Sequence, residues 1–495
     1  MPDYRPRPFH TERMGRAALG AVGITLLAFS GVVSAAWKTP PVPERPDLPV
    51  ALPVPPVPES AAAPTIPVDL LKPGATITLA EVVDVALRNN PVTRASYLAA
   101  LSAAAQLGSK RAPYYPSVDV SVSGTRSNQL SQDPRLTATR RDLYGPSVAV
   151  NYLLLDMGGR SANADDARFG LIAADWSHNA TIQNVILGVE TTYVEYVNAK
   201  AQLEAARANV KTAEAALEAA TVRHDAGVGT IADVLQAKTA LSQARLSLQT
   251  FEGQVLALRG SLATAMGLPA NTPYDVGTLP AQVPLDRGID AVEQLIATAR
   301  VRRPDLAAAR ALVEKADAHL RAVRSEGLPT LSLSAGTNRT YYRPAPFVDH
   351  QDYWSARLLL TFPLFTGFES SYNVKKAKED AGVARAEADT LEQQVILQVW
   401  TSYYFFQTAT QLVRTSRDLL ASAEQSERVA LGRYKEGVGT IIDLLTAHSA
   451  LATARSQEIQ ARSAWFVALA QVAHDTGTAA PLDQPITVLK EGAQP

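Results

Sequence analysis

Few residues of this chain have the type and spacing that catalysis or metal binding requires. Cysteine is absent, which excludes disulfides, thiolate metal sites and cysteine nucleophiles. The seven histidines, His178 and His319 among them, are scattered without paired spacing, and no nucleophile elbow or phosphate-binding loop is present. The formal net charge of -1 gives no surface for a polyanion. The sequence therefore predicts no enzyme, cofactor or metal, and no nucleic-acid partner.

A glycine-rich turn occurs twice. Residues 223–235 read RHDAGVGTIADVL, and residues 433–445 read RYKEGVGTIIDLL. The first glycine suits the left-handed residue that ends a helix, the threonine suits the N-cap of the next helix, and the aspartate three residues later completes a capping box. These residues are Gly227, Thr230 and Asp233 in the first turn and Gly437, Thr440 and Asp443 in the second. Each segment is therefore predicted to be the tip of a helical hairpin.

The two tips belong to a longer internal duplication. Other landmarks recur in the same order and at nearly the same separation as the tips. The matching pairs are Asn90-Pro91 with Arg303-Pro304, and segment 116–118 with segment 329–331. The sequence therefore predicts two copies of one unit, residues 75–288 and 289–478. Each copy is expected to contain a helix, two strands and two very long helices.

Alternating apolar and polar residues predict the strands, and long proline-free stretches of helical periodicity predict the helices. In the first copy the strands are 117–128 and 142–156, and the long helices are 159–225 and 231–266. In the second copy the strands are 330–340 and 353–366, and the long helices are 369–435 and 441–475. Aromatic residues lie near the strand ends, as expected at lipid headgroups: Tyr114, Tyr115, Tyr341 and Tyr342. A soluble sheet with one solvent-exposed face would show the same alternation.

The length of the helices and the number of strands limit how such a chain can assemble. The longest predicted helices would be rods of roughly 100 Å, which implies coiled-coil packing. Four strands cannot close a barrel, and an open sheet edge is not tolerated in lipid. Strands that insert therefore require several copies of the chain. Three copies would supply twelve strands, whereas two would supply eight and give a barrel filled by its own side chains.

The ends of the chain are predicted to lie outside this fold. Two arginines, an apolar stretch and a run of small residues predict a signal peptide over residues 1–36, with an N-terminal membrane anchor as the alternative. The next segment, 37–74, is rich in proline and is predicted to be a linker. Residues 479–495 are predicted to be a tail. No later window is apolar enough for a helical span, so any membrane insertion would use the strands.

The duplicated unit resembles the TolC-like outer membrane factor family over about residues 75 to 478. The two R-x-x-x-G-V-G-T-x-x-D-[VL]-L tips carry the resemblance, and the strand-to-helix corners at 155–160 and 362–367 also fit. The resemblance implies a homotrimer whose strands form a twelve-stranded barrel in outer-membrane lipid. It also implies a long α-helical tunnel across the periplasm with the tips at its inner end. Without cysteine, the chain would be a non-lipidated member.

The resemblance assigns roles to residues of the tips. In the family the tips close the periplasmic entrance, and by position Asp443 matches an entrance carboxylate, Tyr434 a gating tyrosine and Asp233 the acidic residue of the first tip. The tips are also where a periplasmic adaptor docks, which would involve Arg223, Gly227, Gly229, Thr230, Gly437, Gly439 and Thr440.

Two positions depart from the pattern of the family. Gly439 stands where some members have a gating arginine, and Thr446 stands where some have a second carboxylate. The entrance contacts are therefore expected to be weaker, or to be built from other residues such as Arg433 and Glu436. A threefold ring of Asp443 would attract cations and raise the pKa of its carboxylates. We therefore expect Asp443 to line the narrowest aperture.

The function that the resemblance implies is an outer-membrane channel-tunnel of a tripartite efflux pump, a passive exit duct for small molecules. Its partners would be a periplasmic adaptor and an inner-membrane transporter. The outer-membrane component of a type I protein secretion system is the alternative within the same class. A periplasmic coiled-coil adaptor or structural spacer is the alternative of another class, but it would not need two pairs of strands placed before the long hairpins.

Overall fold

A computed structural model describes residues 76–129, 139–280, 283–285, 289–343 and 348–479. The predicted signal peptide and linker lie outside these residues, as does the predicted tail apart from Ala479. No helix within these ranges combines the length and the apolar character that a membrane span requires.

The two halves of the chain contain the same helices and strands in the same order, apart from a short 3-10 helix, Ala112–Tyr114, that precedes β2 in the first half. The first half contains β1 (Thr76–Ile77), α1 (Leu79–Asn89), α2 (Pro91–Arg111), β2 (Ser117–Gln129), β3 (Thr139–Leu155), α3 (Gly159–Asp225) and α4 (Ile231–Ala265). The second half contains β4 (Asp275–Val276), α5 (Val292–Arg302), α6 (Pro304–Glu326), β5 (Thr330–Arg343), β6 (His350–Thr361), α7 (Glu369–Lys435) and α8 (Ile441–Asp475). The short strands β1 and β4 pair in parallel.

Each pair of strands is preceded by two helices, not by the single helix expected from the sequence. The break falls at a proline, which starts α2 at Pro91 and α6 at Pro304, because the preceding residue is forced out of the helical conformation. Asn90 also caps α2, since its side-chain oxygen accepts a hydrogen bond from the Val92 amide at 2.8 Å. The landmark used to recognise the duplication is therefore itself a helix boundary.

The four long strands form one antiparallel sheet in the order β2-β3-β5-β6. Within the described ranges, β2 and β6 are its edges, so each has one side without a strand partner. The expected extension of the last strand to residue 366 is wrong: β6 runs from His350 to Thr361. It ends before Phe362-Pro363 because proline lacks the amide that a ladder hydrogen bond needs.

The helices form a layer in which the two halves interlock. Helix α3 packs against α2 and α4 on one side and against α6 and α8 on the other, while α7 packs against α6 and α8. The end of α4 meets the start of α2, where the Asn90 amide donates to the Ala265 carbonyl at 3.1 Å. The end of α8 meets the start of α6 in the same way, but there the donor to the last carbonyl, that of Asp475, is the buried guanidinium of Arg303.

The largest core lies where these junctions are covered by a second layer. Helices α1 and α5 and the pair β1–β4 pack on one face of the long helices, and we refer to them as the belt. Trp465, Leu262 and Val194 are nearly inaccessible to solvent there. Each buried side chain of this size contributes about 1.5–3 kcal/mol to the free energy of folding. The belt is therefore the main stabilising region of the described chain.

Gly267 tests how tightly the junction of α4 and α2 is packed. Gly267 and the tip residue Gly227 both have φ of +75°, a conformation that costs alanine about 1–2 kcal/mol. A Cβ at Gly267 would also lie 2.6 Å from the backbone of Asn89, whereas a Cβ at Gly227 meets nothing within 4 Å. We expect Gly267→Ala to lower the melting temperature clearly more than Gly227→Ala does. The melting temperature is measured by circular dichroism at 222 nm. Equal losses would contradict close packing at the junction.

Candidate functional site: the hairpin tips

The first hairpin tip connects α3 to α4 through a tight turn. Gly227 takes the left-handed conformation, and the Val228 amide donates back to the Arg223 carbonyl at 2.9 Å, which ends α3. Thr230 then starts α4 with a capping box: its amide donates to the Asp233 carboxylate at 2.9 Å, and the Asp233 amide donates to its hydroxyl at 3.2 Å.

The second tip repeats this geometry between α7 and α8. Gly437 has φ of +77°, and the Val438 and Gly439 amides both donate to the Arg433 carbonyl at 3.0 Å. The amide of Thr440 donates to the Asp443 carboxylate at 3.2 Å, and the reciprocal bond is also 3.2 Å. Both tips therefore have the capping geometry that the sequence predicted from the spacing of threonine and aspartate.

The two tips contact each other through Arg223 and Tyr434. The Arg223 guanidinium donates to the main-chain carbonyl of Tyr434 at 3.1 Å and lies over its ring, 5.0 Å from the centroid. Tyr434 is 6% exposed and belongs to a small apolar cluster with Ile441, Leu444 and residues of both hairpins. Burial raises the pKa of the Tyr434 phenol, Arg223 opposes this shift and Asp233 adds to it. The phenol therefore stays neutral at physiological pH.

The sequence singled out Arg223 and Tyr434 but did not pair them. Arg223 opens the first tip motif and Tyr434 is the second residue of the other motif, so no sequence spacing relates them. The one sequence signal for this pairing was the difference between the two copies at this position, which is the aromatic Tyr434 in the second tip and His224 in the first. His224 instead donates from its ring to the Gly229 carbonyl of its own turn at 3.2 Å.

The acidic residues of the tips differ in exposure. Asp443 is exposed, and Asp233 is partly buried beside Tyr434. The hydrogen bonds from Thr440 hold the pKa of the Asp443 carboxyl below its usual value, and Arg433 lowers it further. This cap is therefore fully formed above the usual carboxyl range and is lost as pH falls through the lowered pKa. The raised pKa expected for a ring of Asp443 concerns several copies of the chain and stays a prediction.

The two departures at the second tip have different environments. Gly439 is closely packed, since a Cβ would lie 3.1 Å from the Arg433 Cβ and from the Tyr434 nitrogen. Gly229 has the same surroundings in the first tip, with the His224 nitrogen at 3.1 Å from such a Cβ. Thr446 is exposed on α8, and Glu436 is exposed at the end of α7. No group of three acidic or histidine residues within the described ranges could hold a metal ion.

The fold consists of two interlocked repeats, and each repeat has a pair of long strands and a long helical hairpin. It therefore belongs to the class of duplicated proteins that combine an antiparallel sheet with a layer of long helices. The family model for outer membrane efflux proteins matches residues 82–268 and 295–478, which together span both repeats. The chain belongs to this family. The membership predicted from the tip motifs is thus confirmed.

Individual relatives and solved structures agree with this assignment. Protein CyaE of Bordetella pertussis is 31% identical over 421 residues, which cover 82% of this chain and 86% of CyaE. The toluene efflux pump outer membrane protein TtgC of Pseudomonas putida is 24% identical, with 76% of this chain and 78% of TtgC covered. The CmeC outer membrane channel of Campylobacter jejuni has the same fold, with a TM-score of 0.71, 19% identity, and coverage of 83% of this chain and 87% of CmeC.

Removing the guanidinium of Arg223 should loosen the second tip. Arg223→Gln loses the hydrogen bond to the Tyr434 carbonyl and the contact with its ring, which together contribute on the order of 1–2 kcal/mol. We expect trypsin to cleave after Arg433 and Lys435 several times faster in this variant, measured by mass spectrometry of the first fragments. The control is Arg207→Gln on the same helix, because Arg207 is exposed and its ion pair is with Glu204, three residues away on that helix. Equal cleavage rates in the two variants would show that the contact does not hold the tip.

Proposed function

We propose that this protein is the outer-membrane channel of a tripartite efflux pump, a passive exit duct for small molecules. The observation that carries the proposal is the match of both repeats to the outer membrane efflux protein family. The relative TtgC is named as part of a toluene efflux pump, which supports small molecules as the cargo. Energy would come from an inner-membrane transporter, joined to this duct by a periplasmic adaptor.

The open edges of the sheet support assembly into a ring. Strands β2 and β6 lie at opposite edges, so the β6 edge of one copy can pair with the β2 edge of the next. A head-to-tail contact of this kind closes into a ring when the rotation between copies allows it. Three copies would close a barrel of twelve strands, with no sheet edge left in the lipid. The trimer and the barrel are parts of the proposal.

The layer of helices has two matching open edges. Helix α7 forms one edge and exposes Trp400 and Tyr404 there. Helices α2 and α4 form the other edge and expose Tyr97 and Leu246. Exposed apolar side chains on both edges of one layer favour a contact between copies. The same rotation would therefore close the strands and the helices into one continuous duct.

The hairpin tips would form the periplasmic entrance of this duct. Their surfaces expose Asp443, Arg433 and Glu436, and the capped turns at Gly227 and Gly437 give each copy two rigid projections. An adaptor that docks here would contact the two turns, and the Arg223–Tyr434 contact would couple the hairpins during opening. The turn residues proposed to face the adaptor are Arg223, Gly227, Gly229, Thr230, Gly437, Gly439 and Thr440.

Loss of the gene in its native host should increase the accumulation of an efflux dye, because the duct is the last step of export. We expect ethidium accumulation to rise several-fold and to return to the original level when the wild-type gene is restored. Membrane fractions should retain the protein after washing with alkaline carbonate. Release by the wash would instead indicate a periplasmic spacer, and unchanged ethidium with a loss of secreted protein would indicate the secretion alternative.

Substitution of Asp443 should change the ion selectivity of the purified duct. In the proposed ring, Asp443→Asn removes one negative charge per copy from the narrowest aperture. We expect a weaker block by divalent cations and an altered single-channel conductance in planar lipid bilayers. Glu204→Gln, at an exposed position of α3 outside the tips, is the matched control. If Asp443→Asn leaves both quantities unchanged, Asp443 does not line the aperture.

A further inference from the structure

One face of the helical layer carries a groove of about 840 Å³, and none of the roles proposed above involves it. Its floor is α8, which presents small side chains there, including Ser463, Ala464 and Ala468. The long helices α3 and α7 stand on either side of α8 and form its walls. The floor also carries the longer side chains of Gln460, Val467 and Gln471, so the groove is a shallow channel between the two wall helices.

The groove lies on the face opposite the belt. On α8, Trp465 and Leu469 pack into the core under the belt, whereas Gln460 and Gln471 line the groove. Successive residues of a helix point about 100° apart, so these two sets occupy different faces. The belt covers one face of the layer, and the face with the groove is left for the interior of the proposed duct.

The two walls of the groove differ in chemistry. The α7 wall presents the apolar side chains of Phe405, 65% exposed, and Leu412, 51% exposed in the single chain, beside polar residues such as Thr401 and Thr408. Both residues lie about a quarter turn away from the open edge of α7, which carries Trp400 and Tyr404. A neighbouring copy at that edge would therefore leave Phe405 and Leu412 accessible from the interior.

The α3 wall is polar and acidic. Glu195 lines the groove, is exposed, and has no basic partner in the part of the chain that the structure describes. One turn along, the side-chain oxygen of Asn198 is shielded from solvent and accepts no hydrogen bond from any described residue. A buried acceptor without a donor is costly, and a ligand that donates a hydrogen bond would remove this cost.

We propose that this groove is a binding site for small amphiphilic cations with an aromatic or aliphatic body. The apolar body would lie on Phe405 and Leu412, and the cationic or hydrogen-bond-donating group would face Glu195 and Asn198. The arrangement of apolar surface opposite an unpaired carboxylate and a free acceptor suits this class and disfavours anions. The inference rests on the proposed function, because it takes this face to be the interior of the duct.

Rhodamine 6G, an aromatic cation, is a suitable probe for the assembled protein in phospholipid nanodiscs. Because the chain has no cysteine, Ala464→Cys can be labelled with bimane at a single site on the floor of the groove. We expect rhodamine 6G to quench the bimane by energy transfer with a saturable dose dependence. Fluorescein, an anion with the same ring system, should not do so. An equal response to both dyes would overturn the proposal.

Substitutions in each wall test the two halves of the site in the labelled protein. We expect Glu195→Gln to weaken rhodamine 6G binding about fivefold, the value of one modest ion pair, and Phe405→Ala to weaken it about tenfold. The controls are Glu204→Gln on α3 and Leu419→Ala on α7, which lie outside the groove. Unchanged binding in both groove variants would overturn the site.

Conductance in planar bilayers separates this inference from the proposed function. A duct that conducts ions and lowers ethidium accumulation, but shows no saturable rhodamine 6G signal, would overturn the groove alone. Absence of both conductance and binding would overturn the duct as well.

Discussion

A single layer of helices and a single sheet bury side chains only where something covers them, and this constraint governs the whole chain. In the described residues the belt of α1, α5 and β1–β4 is the main covering layer, and the largest core lies beneath it. Away from the belt the clusters are small, as at the tips and between α6 and α7. Much of the surface of both the sheet and the helices therefore remains apolar and exposed. Such a chain is expected to bury this surface against further copies of itself.

The two halves of the chain join their helices with the same geometry but with different residues. At the end of each hairpin the last helical carbonyl is satisfied by the residue that precedes a helix-starting proline. That residue is neutral Asn90 in the first half. In the second half it is Arg303, whose buried charge is balanced by Asp305 and approached by Asp475. A buried guanidinium requires such partners because its desolvation is costly. The second junction therefore depends on a buried charged cluster, whereas the first depends on a single amide.

The tips, at the other end of the hairpins, are also held by few contacts. A capping box satisfies two of the free amides at the start of α4 and of α8, which fixes how each helix leaves its turn. The contact between Arg223 and Tyr434 then links the two turns across the small apolar cluster. Turns joined by one polar contact can move relative to each other at low cost, which suits an entrance that opens.

The sequence by itself determined the features of the fold that depend on residues close together in the chain. Alternation, proline positions and the spacing of Thr230 with Asp233 and of Thr440 with Asp443 are local, so they predicted the strands, the long helices and the capped tips. Local patterns missed the second helix before each strand pair and the pairing of β1 with β4, because two-residue strands carry no periodicity. Only the tertiary structure decided that Arg223 meets Tyr434 and that Glu195 faces Phe405 across α8. These residues are far apart in the chain, and their proximity follows from how the helices pack.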